Sequence, residues 1–148
     1  MVGRLARYLR FVGCDTIYAR GLSDAEILKK ANGEDRIIVT RDRMLAARAR
    51  RSVLLTSPHL ADQWRTLRAL HPEIPSEVSF VRCTECNGLL DPFVPTAGST
   101  PAPGIPWDRV ARGLPLFRCA ECGHVYWEGT HTDHIRAQLA RWAKEDPK

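Results

Sequence analysis

A chain of 148 residues, 44% hydrophobic and 26% charged, has room for one moderate domain and a small second module. No run approaches the ~20 apolar residues of a membrane span, and the N-terminus lacks an apolar signal core. No membrane role and a cytoplasmic location are therefore expected. The net charge of +5 is uneven, because residues 1–52 hold twelve Arg or Lys against six acids. A basic half of this kind suits a polyanion partner. An ordinary solvated helix surface would look the same, and charge alone does not choose between them.

The chain opens on a helical stripe, Leu5, Tyr8, Leu9 and Val12, flanked by Arg4, Arg7 and Arg10 and stopped at Gly13. Cys14-Asp15-Thr16-Ile17-Tyr18-Ala19 reads as a short strand, with Cys14 a small buried hydrophobe rather than a reactive thiol. Ser23-Asp24-Ala25-Glu26 is a capping box, which predicts a helix running to Asn32-Gly33. Arg36-Ile37-Ile38-Val39-Thr40 is a β-branched run of the kind buried on both faces. Arg41-Asp42 follows it directly, and then a helical segment at Met44-Leu45-Ala46. Ser52–Thr56 reads as another strand, and Pro58 starts a helix carrying Leu60, Trp64, Leu67 and Leu70. This alternation predicts a layered α/β domain over residues 1–76 with a mostly parallel sheet and flanking helices.

Ligands of parallel sheets collect beyond the C-terminal ends of the strands. Asp42 lies at such an end, and Asp24 follows the first expected strand by a short loop. Two carboxylates converging there suit a hard cation, Mg2+ or Mn2+. Helix-end roles for both aspartates are the alternative.

The pattern changes after Pro72, and residues 77–148 form the second expected unit. Val78–Val81 reads as a strand leading into Cys83-Thr84-Glu85-Cys86. A matching knuckle, Cys119-Ala120-Glu121-Cys122, lies 32 residues further on. Two C-x-x-C turns supply the four-sulfur tetrahedron that Zn2+ prefers. Disulfides would use the same residues, but reduced thiols fit a chain without a signal peptide. Asn87-Gly88 and Gly123 allow a turn through positive φ after each second cysteine. Residues 92–115 hold six of the ten prolines and read as an irregular insertion around Ala97-Gly98-Ser99-Thr100. Leu116–Arg118 enters the second knuckle, Val125–Trp127 leaves it, and Thr132–Lys144 is an amphipathic terminal helix. With four cysteines filling the shell, His131 is expected to pack rather than ligate. Tyr126, Trp127 and Trp107 are expected to serve as ribbon core rather than as base-stacking platforms.

These residues together resemble the Mut-seven C-terminal RNase domain family, a PIN-like nuclease fold with a C-terminal zinc ribbon. The matching stretches are Gly3–Arg10 with Gly13, Ser23–Leu28, Arg36–Arg43, both knuckles and Tyr126–His131. They span nearly the whole chain except the insertion. The resemblance implies metal-dependent RNA cleavage and carries Asp24 and Asp42 over as catalytic members of an acidic Mg2+ or Mn2+ site. Arg41 and Arg43, beside Asp42, would orient phosphates, and Arg4 and Arg7 would extend the backbone-binding track. For each arginine, ordinary surface charge is the competing reading. Family members begin with an apolar strand ending in aspartate just before the residues matching Met1-Val2-Gly3. The sequence here starts at Met1, so that first strand is expected to be missing and Ile17 and Ile38 to be poorly covered. Two functions follow: a hydrolytic ribonuclease with a structural ribbon, or a non-catalytic zinc-ribbon RNA-binding protein.

Overall fold

In the computed structural model, which describes residues 2–95 and 105–144, the described residues form a mixed α/β fold of six helices and two small sheets. The first helix, α1 (Gly3–Phe11), buries Leu5 and Leu9 at i, i+4 spacing. It closes in a Schellman turn. Cys14 N–H reaches Leu9 O and Gly13 N–H reaches Arg10 O, with Gly13 at φ +90°. A side chain there would be doubly penalised, since its Cβ would lie 2.7 Å from Ser79 Oγ.

The capping box forms as expected and opens α2 (Asp24–Gly33). Next come β1 (Ile38–Thr40), α3 (Arg43–Arg48), β2 (Ser52–Leu54) and α4 (Leu60–Leu70). The two strands pair in parallel, Val39 opposite Val53. One small cluster, Ala31, Ile38 and Leu45, seats α2 and α3 on β1.

The strand expected at Cys14–Ala19 does not form. Its residues are apolar and β-branched enough, but no strand lies beside it to complete a ladder. Thr16 instead gives its N–H to Asn87 Oδ1 at 2.9 Å, and its carbonyl accepts from Arg10 Nε at 2.8 Å. Among the described residues the parallel sheet has two strands. Ile38 N–H and Thr40 O are bonded toward β2, to Arg51 O and Leu55 N–H. Val39 therefore turns its main-chain groups to the open edge. A cavity of about 490 Å³, lined by Ile17, Ala19, Ile38 and Val39 among others, lies between that edge and the unpaired segment. Ile17 is 38% exposed, whereas Ile38, expected to be poorly covered, is buried by its cluster at 7%.

The second sheet is antiparallel, order β3-β4-β5, built from β3 (Leu90–Phe93), β4 (Leu116–Cys119) and β5 (Val125–Trp127). Val78–Val81 adds no strand to it; among the described residues that region gives only an Arg82–Leu89 bridge. Pro92, expected in the irregular insertion, instead lies on β3. This is an edge strand, where a missing N–H is tolerated. Trp107–Ala111 forms a short helix, α5. The irregular segment expected around Ala97–Thr100 lies outside the described residues.

Helix α6 (Thr130–Lys144) starts two residues before the expected Thr132. Its Ile135, Leu139 and Trp142 join Leu5, Leu9, Val12, Val53, Leu55, Trp64 and Leu67 in one core cluster. Trp142 packs 4.7 Å from the Tyr8 ring and 6.2 Å from Trp64. The chain thus returns from the ribbon to finish the core that α1 began. Among the described residues, no helix is long and apolar enough to cross a membrane.

Candidate functional site

The two cysteine knuckles are built alike. In each, the N–H after the second cysteine bonds back to the first cysteine's carbonyl: Asn87 to Cys83 at 2.9 Å, Gly123 to Cys119 at 3.0 Å. The first cysteine's N–H then reaches one residue further, to Gly88 O or His124 O. Asn87 (φ +73°) and Gly123 (φ +75°) supply the left-handed turn that each knuckle needs. Gly88 is constrained differently, by the approach of the other knuckle. A Cβ there would lie 2.9 Å from Cys119 Sγ.

The four sulfurs converge within 4.8 Å of one another. Cys83 and Cys122 stand 3.6 Å apart, and Cys86 and Cys119 stand 3.4 Å apart. A disulfide would need about 2.05 Å, whereas a zinc tetrahedron with bonds of about 2.3 Å places its sulfurs roughly 3.8 Å apart. All four cysteines are free. The donor set and spacing therefore fit Zn2+, and Cys83, Cys86, Cys119 and Cys122 would hold it. Burial and the neighbouring sulfurs push the Cys86 thiol up to about 12. Sulfurs so close cannot all ionise unless a cation discharges them. Gly88 N–H donates to Cys86 Sγ at 3.4 Å, and the Tyr126 hydroxyl lies 3.0 Å from Cys83 Sγ. Such contacts to the ligands fix a metal shell in place.

Arg10 was expected to flank α1's apolar stripe; instead it is buried, at 6% exposure. Its Nη1 donates to both Thr84 O and Glu85 O at 2.9 Å. The guanidinium thereby clamps the first knuckle to α1. Burial lowers its pKa, and the sulfurs of Cys83 and Cys86 offset part of that. Zinc with four thiolates keeps net negative charge, which this cation would balance. One sequence signal pointed here: Arg4, Arg7 and Arg10 recur every three residues and so share a helix side. Asn87 reinforces the joint through Asp15 at 2.6 Å, and Asp15 in turn holds Arg36 at 2.9 Å.

Of the other expected site residues, Arg7 pairs with Glu85 on the knuckle. Arg4 and Arg7 both line a groove between α1 and the ribbon. Arg41 and Arg43 are exposed around the start of α3. Asp42 caps that helix, its Oδ1 accepting from Met44 N–H at 2.7 Å and Leu45 N–H at 3.1 Å. Oδ2 takes neither bond. Asp24 opens α2, and its Oδ2 lies 3.6 Å from Arg48 Nη1, too far for a hydrogen bond. Among the described residues, the four cysteines are the one group of three or more His, Cys, Asp or Glu donors close enough for a single ion. Neither aspartate belongs to such a group among the described residues. His131 packs, its ring 5.7 Å from Phe11.

A family model described as the Mut7-C RNAse domain matches residues 1–139. The chain belongs to that family. No curated protein and no solved structure matches it. The Mut7-C match runs from α1 through the acid-bearing loops and both knuckles into α6, so the metal cluster and both aspartates lie inside it.

Proposed function

We propose that this Mut7-C protein is a metal-dependent ribonuclease with a structural zinc ribbon on a PIN-like α/β unit. The observation that carries this reading is the family match over residues 1–139, a span within which Asp24 and Asp42 fall. These two carboxylates are the chain's donors to a Mg2+ or Mn2+ site. Mg2+ sites commonly use one or two carboxylates and leave the remaining positions to water and substrate phosphate. Two features support that role: Asp42 Oδ2 is outside the cap, and Asp24 Oδ2 lies 3.6 Å from Arg48 Nη1, beyond hydrogen-bond range. A cation bound there would supply an activated water and charge compensation at the phosphate. Arg41 and Arg43, flanking Asp42, hold the phosphate in register.

A second reading, a non-catalytic RNA-binding protein, draws on one observation. Asp42 already serves as a helix cap, and among the described residues neither aspartate belongs to a group of three or more metal donors. The discriminating experiment is cleavage of a labelled single-stranded RNA with Mn2+, wild type against Asp42→Asn. Asparagine caps a helix as well as aspartate does, so the variant removes charge and leaves the fold. Loss of at least about a hundredfold in rate supports the nuclease. Wild-type RNA binding without cleavage selects the binding protein.

A further inference from the structure

The groove between α1 and the ribbon has a volume of about 530 Å³, within the range of about 300–1,000 Å³ typical of ligand clefts. Arg4 and Arg7 line it from α1, Tyr126, Trp127 and His124 from the ribbon, and His131 from the start of α6. Among the described residues, Glu85 is the one carboxylate on its walls, and Arg7 already pairs with it. A pocket that combines arginines with rings, and has so little negative charge, is matched to a phosphate-linked chain of bases.

The rings share the ribbon with two buried residues, Leu116 and Cys119, and with the half-buried stacked pair Phe80 and Phe117, 4.7 Å apart with planes 2° from parallel. Tyr126 and Trp127 remain half-buried on β5, the edge strand, and so border open space. Each is fixed. The Tyr126 hydroxyl lies 3.0 Å from Cys83 Sγ and accepts Thr84 N–H at 3.2 Å, so the first knuckle sets that ring's position. The His124 ring leans on it at 4.7 Å. Trp127 lies against Gly129, where a Cβ would stand 3.4 Å from the indole.

We propose that this groove is a binding site for unpaired RNA, with bases stacked on Trp127 and Tyr126 and phosphates held by Arg4 and Arg7. The proposal rests on RNA being the partner and adds that the zinc ribbon itself contacts it. Rings can stack only on bases released from a duplex, so the groove selects single strands. Arg10 anchors the row of arginines on the knuckle, which leaves Arg7 and Arg4 extending along α1 beside the rings.

The test is fluorescence anisotropy of a labelled ten-nucleotide single-stranded RNA and of the same sequence as a duplex. The zinc-loaded full chain is used, in buffer without Mg2+ or Mn2+ so that no cleavage occurs. Wild type should prefer the single strand. Arg4→Ala should weaken binding on the order of tenfold and reduce the salt slope by about 0.7, the value for one single-strand phosphate contact. Trp127→Ala should weaken it on the order of tenfold, with Trp127→Phe restoring most of the loss. Arg4 is exposed on α1, so its variant stays informative if Trp127→Ala fails to fold. Equal affinity for duplex, or wild-type affinity in Arg4→Ala and in a folded Trp127→Ala, overturns the groove. RNA cleavage that persists in that case leaves the nuclease reading intact. No RNA binding by wild type overturns both.

Discussion

The two chemically distinctive regions of this molecule are assembled to different degrees. The ribbon brings its four sulfurs together on two matching knuckles, each closed by its own backbone bonds. Asp24 and Asp42 stand on separate helix starts, one beside an arginine and the other capping α3. The contrast follows from the ligands. A soft cation that prefers four thiolates requires all its donors from the protein, whereas a hard cation accepts water and phosphate as part of its shell. The ribbon is a site complete within the described chain. The aspartate site is one that substrate would help to build.

The sharpest way to break this comparison is to remove a thiolate. Cys119→Ser should lose most of the bound zinc and unfold the ribbon, because structural zinc contributes about 10 kcal/mol or more in small zinc modules. Melting followed by circular dichroism, alongside zinc content, checks it. A stable variant with wild-type melting would mean that the sheet stands without metal.

Arg10→Ala probes whether the two regions are mechanically joined. It strips donors from two carbonyls at the knuckle, Thr84 O and Glu85 O. Hydrogen bonds from a charged group contribute about 1.5–3 kcal/mol each, and a loss of about 2–4 kcal/mol is expected by urea unfolding, with zinc content retained. No change would make α1 and the ribbon independent.

The aspartates should respond in the opposite sense, with activity moving more than stability. Asp42→Ala removes the α3 cap and should cost about 1 kcal/mol, while Asp42→Asn should cost only a few tenths. Both should abolish cleavage. Equal destabilisation by the two would remove the case for separating cap from charge.

The smallest effect expected is at the joint itself. Hydrogen bonding from Arg36 outweighs burial and lowers the Asp15 carboxyl below its ordinary 3.8. A depressed folded pKa contributes stability above the unfolded value and loses it as pH falls through the folded one. Melting temperature should therefore drop slightly less below about pH 4 in Asp15→Asn than in wild type. A larger acid-side drop in the variant would contradict the sign.

The features legible in the sequence were those that short spacing determines. The knuckles, the capping box at Ser23 and Glu26, and the helical stripe of α1 each depend on residues within a turn or two. Features that depend on distant partners were misread. Cys14–Ala19 has the composition of a strand, but a strand needs a neighbour, and Thr16 found Asn87 and Arg10 instead. Arg10 looked like surface because two of its carbonyl acceptors, Thr84 O and Glu85 O, lie more than seventy residues away. Tyr126 and Trp127 read as ribbon core; that they also border a groove follows from the position of α1, which no local spacing encodes. In the candidate site, the cysteines were readable to the residue. Asp24 and Asp42 were readable as helix-start acids, and the catalytic role proposed for them rests on the family rather than on their surroundings.

One measurement bears on the central contrast directly: total metal content of the full chain purified without added metal, after dialysis against a weak chelator. The account predicts one equivalent of retained zinc and no retained Mg2+ or Mn2+, because one site is complete and the other awaits substrate. Less than about half an equivalent of zinc, or a second metal held equally tightly, would contradict it.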